Sequence, residues 1–415
     1  MTYRTITRCR CCTGTRLEPV LDLGLVPLAN ALQKTQAAAE ERCPLAVLRC
    51  RDCGLLSLTV VVDPRLMFSS YPYVSGTSPT MVEHFGAYAQ EVAERFGGFV
   101  VEMGSNDGTL LRQLPKDTKR LGIEPADNIA QLARANGVPT MTAFFNAATA
   151  GLVTAEHGKA RVLIGNNVIA HIDDLDDLAS AVTALLDDDG VFLFEVPHAL
   201  TMQRRVEFDT IYHEHLSYFT LRAAMAWLSR HGLEVFDVKQ VAVHGGSLRV
   251  HAARVGRHHR LASVDDVLAA EAAAGIESGA GWREFARKVQ GIRTGLPHLI
   301  DELRSEGAKV AAYGAAAKGN TLLCTCGLDG RRLRYVVDQN PLKQGLFTPG
   351  SRLPVVGVSA LVSDPVDVLV VLAWNFLPEI RQQLSPWEQS GGRFVVPVPE
   401  PVVLPHAAHS VGGPE

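Results

Sequence analysis

The chain has 415 residues, 47% of them hydrophobic and 20% charged, and 40 Lys and Arg against 44 Asp and Glu leave a formal charge of −4. At roughly 150 residues per domain this predicts two or three domains, each with its own core, and it excludes a disordered, collagenous or coiled-coil chain. The slight acidity argues against a general binder of phosphate backbones.

The first residues, Met1 to Arg8, lack the apolar core of a signal peptide, so a cytoplasmic protein is expected. Cysteines then cluster at positions 9, 11, 12, 43, 50 and 53, with Cys324 and Cys326 the others in the chain. Such local clustering in a reducing compartment points to a metal rather than to cross-links. Cys9 and Cys12 form one Cys-x-x-Cys pair, and Cys50 and Cys53 form another. Each pair turns back on itself and presents two sulfurs to one point, so together they can close a tetrahedral zinc site. No stripe of basic and aromatic residues accompanies them, so the zinc reads as structural and nucleic acid is not expected as a partner. Residues 1–75 therefore read as a small zinc-stapled module.

From 76 to 260 helices alternate with apolar strands, the signature of an α/β fold with a parallel sheet. Strands are expected at Phe99 to Glu102, Arg120 to Glu124, Arg161 to Ile164 and Val191 to Glu195. After the first comes an acidic residue and a Gly-x-x-x-Gly loop, Glu102, Gly104, Ser105, Asn106, Asp107 and Gly108, which is expected to open a helix. A dinucleotide loop presents bare amides to a pyrophosphate, whereas Asp107 puts negative charge there. The loop suits a cationic ligand without phosphates, and S-adenosylmethionine carries a sulfonium and an ammonium. Glu124 ends the next strand and suits ribose hydroxyls. Asn166, Asn167 and His171 follow a later strand at its carboxyl end, where open α/β sheets bind ligands.

Tyr212, His213, Glu214 and His215 are four adjacent proton carriers, a density that points to general acid–base work. The aromatics Tyr71 and Tyr73 cover either a seam or a ligand. His244, Gly245, Gly246 and Ser247 allow close approach of a ligand to backbone, or a bulge. Residues 261–305 read as a helical connector. A second, shorter α/β domain is expected over 306–415. In it Gly314 to Asn320 follows a strand and opens a helix, so backbone amides and Lys318 can meet a diphosphate. Asn320 closes this loop, and Asp338 and Lys343 end the next strand within reach of a nucleotide. The densest apolar run, Val368 to Trp374, is too short to span a bilayer and reads as a buried strand, so no membrane is expected.

The Cys pairs, Tyr71 to Ser75, Glu102 to Gly108, Tyr212 to Phe219, His244 to Ser247 and Tyr313 to Asn320 stand in an order that resembles the S-adenosylmethionine-dependent C-methyltransferases acting on nucleoside-diphosphate deoxysugars in antibiotic biosynthesis. The resemblance covers nearly the whole chain. It implies an N-terminal zinc domain, a central Rossmann-like methyltransferase domain and a C-terminal Rossmann-like domain that helps hold a thymidine-diphosphate 4-keto-6-deoxysugar. It also implies His215 as the base, with His171 and Tyr71 or Tyr73 facing the sugar; deprotonation beside a ketone would then have Glu214 orient His215 while Tyr212 and His171 donate to the enolate oxygen. The expected assembly is a monomer or small homo-oligomer. Two rival readings are a nicotinamide-dependent sugar oxidoreductase, which two Rossmann-like halves permit, and a non-enzymatic zinc-ribbon binding protein.

Overall fold

The computed structural model describes residues 3–68 and 74–405, apart from the side chains of Phe68 and His244. Two compact units interleave along the sequence: one contains the chain up to Val20, Val47–Met202 and Glu214–Gly281, the other Leu21–Ala46, Gln203–His213 and the chain from Trp282 onward.

In the first unit the cysteine-rich end supplies β1 (Tyr3–Thr5), β2 (Leu17–Val26), β3 (Cys43–Cys50), β4 (Leu56–Leu58) and β5 (Val60–Val62). β1 pairs antiparallel with β5, and β3 with β4. The chain passes between the units within β2 and β3. Then come β6 (Val100–Met103), β7 (Arg120–Ile123), β8 (Thr140–Met141), β9 (Ala160–Asn166), β10 (Leu186–Pro197), β11 (Ser217–Tyr218), β12 (Leu233–Val241) and β13 (Ser247–Arg254). The main sheet runs β12-β13-β10-β9-β6-β7-β8. Strands β10, β9, β6, β7 and β8 are parallel, while β13 pairs antiparallel with both β10 and β12.

A parallel sheet covered on both faces needs apolar residues at consecutive positions, and β10 shows how they divide. Val191 and Leu193 join Tyr88 and Val92 of the helix Pro79–Arg95 on one face. Phe192 and Phe194 face the other way, against Trp227 of the helix Leu221–Ser229 and Leu178 of the helix Leu175–Leu185. Each large side chain so buried contributes about 1.5–3 kcal/mol. Cys9, Cys11, Cys50, Cys53 and Leu55 belong to that second cluster, so the cysteine end shares a core with the sheet.

The helix expected after the glycine loop does not form. Leu111–Gln113 makes a single 3-10 turn, and Leu114, with ψ 151°, is already extended. Pro115 explains the stop, because its ring excludes the helical conformation from the residue before it.

The second unit carries β14 (Val310–Tyr313), β15 (Val336–Val337), β16 (Val355–Val356), β17 (Val368–Val371), β18 (Arg393–Val396) and β19 (Val402–Val403), in the order β16-β15-β14-β17-β18-β19. All neighbours are parallel except β18 and β19. The helix Ala280–Ser305 buries Phe285, Val289, Ile292, Leu296, Ile300 and Leu303 at helical spacing. The long loop between the cysteine pairs belongs to this unit because its backbone bonds there: Gln33 and Phe347 exchange N–H···O bonds of 2.8 Å, and Asn320 Nδ2 donates to the Ala29 carbonyl at 2.8 Å.

One packing constraint is directly testable. Gly246 has φ +129°, and a Cβ added to it meets Thr201 Cγ2 at 2.7 Å, whereas Gly232 (φ +71°) has open space around it. Gly246→Ala is expected to cost about 1–3 kcal/mol of stability and Gly232→Ala only the smaller strain of its φ, read as the difference in their melting temperatures.

Candidate active site and metal centre

Each cysteine pair is shaped by the same backbone turn. Thr13 N–H donates to the Cys9 carbonyl at 3.0 Å and Gly54 N–H to the Cys50 carbonyl at 3.0 Å. Thr13 (φ 61°) and Gly54 (φ 84°), each one residue past the second cysteine, take left-handed backbone. The turns bring Cys9 Sγ to 3.5 Å from Cys53 Sγ and Cys12 Sγ to 3.5 Å from Cys50 Sγ. All four sulfurs lie within 4.8 Å of one another. Four convergent sulfurs are the donor set of a structural zinc ion, which is the metal this protein binds. Cys11, fully buried beside them, is a core residue. Cys53→Ser is expected to remove about one zinc per chain and to lower the melting temperature, as metal analysis and calorimetry on the same samples would show.

At the carboxyl end of β6 the glycine loop is pinned to β7: Gly104 N–H donates to the Ile123 carbonyl at 2.8 Å. Gly104 (φ 62°), Asn106 (φ 50°) and Gly108 (φ 76°) are all left-handed. An added Cβ on Gly104 or Gly108 meets Val168 at 2.9 Å or Val138 at 2.7 Å, so side chain is excluded at both. Glu124 braces the loop, accepting from Asn106 N–H at 3.0 Å and Ala126 N–H at 2.9 Å. Asp107 Oδ1 accepts from the Thr109 hydroxyl at 2.5 Å. Glu102 Oε1 accepts from Asn166 Nδ2 at 3.4 Å. Burial, reinforced by Asp107, Glu124 and Glu195, pushes the Glu102 carboxyl well up; burial also raises Glu124.

Four buried side-chain atoms here lack a partner among the described residues: Glu102 Oε2, Ser105 Oγ, Asn166 Oδ1 and Asn167 Oδ1. Leaving a buried polar atom unpaired costs about 1–3 kcal/mol. All four can accept hydrogen bonds, which fits the ammonium and ribose hydroxyls of S-adenosylmethionine.

The His171 turn, Ile169–His171, follows β9, and Ala170 carbonyl accepts from Leu216 N–H at 2.8 Å. That bond sets two imidazoles side by side: the His171 and His215 rings stack with centroids 5.1 Å apart and planes 19° from parallel. Tyr218 meets His215 edge-on at 6.3 Å. Glu214, 4% exposed, and half-buried His215 lie in the first unit, while Tyr212 and His213 lie in the second. His213 Nε2 donates to the Pro44 carbonyl at 3.2 Å, and burial lowers its pKa, so it is held neutral. Tyr212, His213 and Asn320 line one narrow cavity of the second unit with Pro27, Thr321 and Cys324.

The remaining expected residues have local partners. Ser247 Oγ donates to the Val243 carbonyl at 3.2 Å, and Gly246 approaches Thr201. Asp338 accepts from Ala315 N–H at 2.8 Å, and Lys343 Nζ donates to the Ala315 carbonyl at 3.0 Å, so both brace the Gly314 loop. Tyr71 and Tyr73 lie outside the described residues, as does the side chain of His244.

Lys318 has an unexpected setting. Its Nζ stands 3.8 Å from Asp209 Oδ2 and 4.2 Å over the Trp374 ring, and Trp374 Nε1 donates to the same oxygen at 2.7 Å. Nearby Glu207 is pushed by burial up to about 7. An unfolded glutamate titrates at about pH 4, so between the two values the native state holds the extra proton and stability falls as pH rises. Glu207→Gln is expected to shrink the drop in melting temperature between about pH 5 and about pH 8, a gain on the order of 1–3 kcal/mol at the upper end.

Sequence reasoning missed one network altogether: His84, Glu195 and Arg249 meet around the Glu195 carboxylate, with Arg249 Nη1 reaching Glu91 at 3.0 Å. Glu195 ended an expected strand and Arg249 followed the glycine pair, but no spacing links either to His84.

Three family models match the chain in succession: a zinc binding domain over residues 9–68, a methyltransferase domain over 83–238 and a C-methyltransferase C-terminal domain over 242–399. The C-methyltransferase NovU of Streptomyces niveus is 37% identical over 409 residues, covering 97% of this chain and 97% of that protein. Among solved structures, the glycopeptide N-methyltransferase MtfA aligns with a TM-score of 0.34 and 15% identity over 41% of this chain and 95% of its own. Magnesium protoporphyrin IX methyltransferase of Synechocystis PCC 6803 aligns with a TM-score of 0.31 and 14% identity over 42% of this chain and 78% of its own.

Proposed function

The chain belongs to the S-adenosylmethionine-dependent C-methyltransferases, and from that premise we propose that it methylates a thymidine-diphosphate 4-keto-6-deoxysugar in antibiotic biosynthesis, at the carbon beside the ketone and at C3 in preference to C5. Membership sets aside the oxidoreductase and zinc-ribbon binder readings.

Carbon becomes nucleophilic only when a neighbouring carbonyl can take up the charge left by a departing proton. A 4-keto sugar offers that carbonyl. The observation that carries this reading is the stacked pair of His171 and His215, two imidazoles 5.1 Å apart next to the carboxyl edge of a parallel sheet. His215 removes the proton and Glu214 orients it, while His171 and Tyr212 donate hydrogen bonds to the developing enolate oxygen. Each such donor is worth about 2.7–4 kcal/mol of barrier. S-adenosylmethionine supplies, when bound, an electrophilic methyl on a sulfonium.

Glu102, Gly104, Ser105, Asn106, Asp107, Gly108, Glu124 and Asn166 hold that donor in this reading, and the acceptors left unpaired at Glu102, Ser105 and Asn166 support it. Asn167, Tyr71 or Tyr73, His244, Gly246 and Ser247 serve the sugar. Lys318, Asn320, Asp338 and Lys343 serve the nucleotide. Lys318 reaches a diphosphate only by sharing its charge with Asp209.

Incubation with S-adenosylmethionine and a panel of nucleotide-linked ketosugars, read by mass spectrometry, is expected to give a mass gain of one methylene with the 4-keto-6-deoxysugars alone. His215→Asn is expected to lower kcat by at least about 10²-fold. Methylation of sugars lacking the ketone would contradict the reading.

A further inference from the structure

His84 lies on the inward side of the helix Pro79–Arg95, its side chain 14% exposed. Its Nε2 is 3.0 Å from both carboxylate oxygens of Glu195, a residue with 0% exposure. Arg249 Nε donates to Glu195 Oε1 at 2.8 Å, and its guanidinium lies 3.4 Å over the Tyr88 ring. Burying a carboxylate is tolerable when it is paired, and Arg249 alone supplies an ion pair. His84 is a second donor on the same group. These donors hold the Glu195 carboxyl below its ordinary range despite burial.

Glu195 stands at the edge where the cofactor loop sits. It is the register partner of Asn166 in β9, its carbonyl accepts from Asn167 N–H at 2.8 Å, and Asn166 in turn donates to Glu102. The edge is acidic: Asp107, Glu124 and Glu195 all act electrostatically on Glu102. Such an edge attracts a sulfonium and an ammonium but repels the α-carboxylate that the methionine moiety carries beside them. A zwitterion placed here needs a hydrogen-bond partner for its carboxylate among the acids. Both His84 bonds to Glu195 use Nε2, which leaves Nδ1 as the nitrogen for a ligand.

We propose that His84, seated on Glu195 and Arg249, binds the α-carboxylate of the methyl donor. This rests on the cofactor pocket proposed above. Isothermal titration tests it with S-adenosylhomocysteine and S-adenosyl-3-thiopropylamine, which differ only in that carboxylate. The native protein is expected to bind the first at least about tenfold more tightly, the scale of one charge-assisted hydrogen bond. His84→Gln is expected to erase the difference by weakening the first ligand alone. Equal affinities in the native protein, where no variant is involved, overturn the proposal, as does a difference that survives in His84→Gln. Glu124→Gln separates the two readings, because it is expected to weaken both ligands alike. If it changes neither, the pocket itself is misplaced.

Discussion

The backbone of Leu216 ties three parts of the first unit together. Its carbonyl accepts from Leu58 N–H at 3.0 Å and from Arg10 Nη1 at 3.1 Å, and its N–H donates to the Ala170 carbonyl at 2.8 Å. Arg10 sits between two cysteines of the metal centre, 8% exposed, and its Nε also pairs with Asp173 at 3.0 Å. Leu216 thus joins the cysteine turn, the β4 strand and the His171 turn, and His215 is its neighbour in sequence. Under the mechanism proposed above, the cysteine turn therefore bears on catalysis, because the arginine it carries bonds the backbone next to His215, the proposed base. Positioning of that kind is worth more than the bonds themselves, since a small displacement of a reacting group is costly.

The carboxyl edges of both sheets gather polar side chains, but they hold their charge differently. In the first unit Glu102, Ser105, Asn166 and Asn167 keep buried atoms without partners, a cost that a ligand with several donors offsets. In the second unit the one lysine of the Gly314 loop is neutralised by Asp209 and covered by Trp374. The first edge is poised to receive a cation. The second holds its cation in reserve against a buried acid.

Much of this was legible in the residues. Two Cys-x-x-Cys pairs dictate where four sulfurs go, because each turn is local. The strands of both sheets show as apolar runs, since burial on both faces removes any alternation, and the acidic glycine loop announces its charge. What could not be read depends on partners far apart in the chain. Lys318 finds Asp209 across the fold, and Glu195 finds His84 and Arg249 from different elements. Gly246 answers to Thr201, which a glycine pair alone does not reveal. The helix expected after Gly108 failed for a local reason that was visible, Pro115, but the two leucines before it mimic a helix start.

The proposed mechanism requires His215, held by the backbone of Leu216 and the cysteine turn, to take a proton from carbon beside a ketone before any methyl moves. Deuterium exchange tests this with the methyl donor left out: thymidine-diphosphate 4-keto-6-deoxyglucose is incubated with the protein in heavy water and followed by mass spectrometry and proton NMR. Label is expected at a carbon flanking the ketone, faster than in buffer alone and lost in His215→Asn. Exchange that proceeds undiminished in His215→Asn would contradict it.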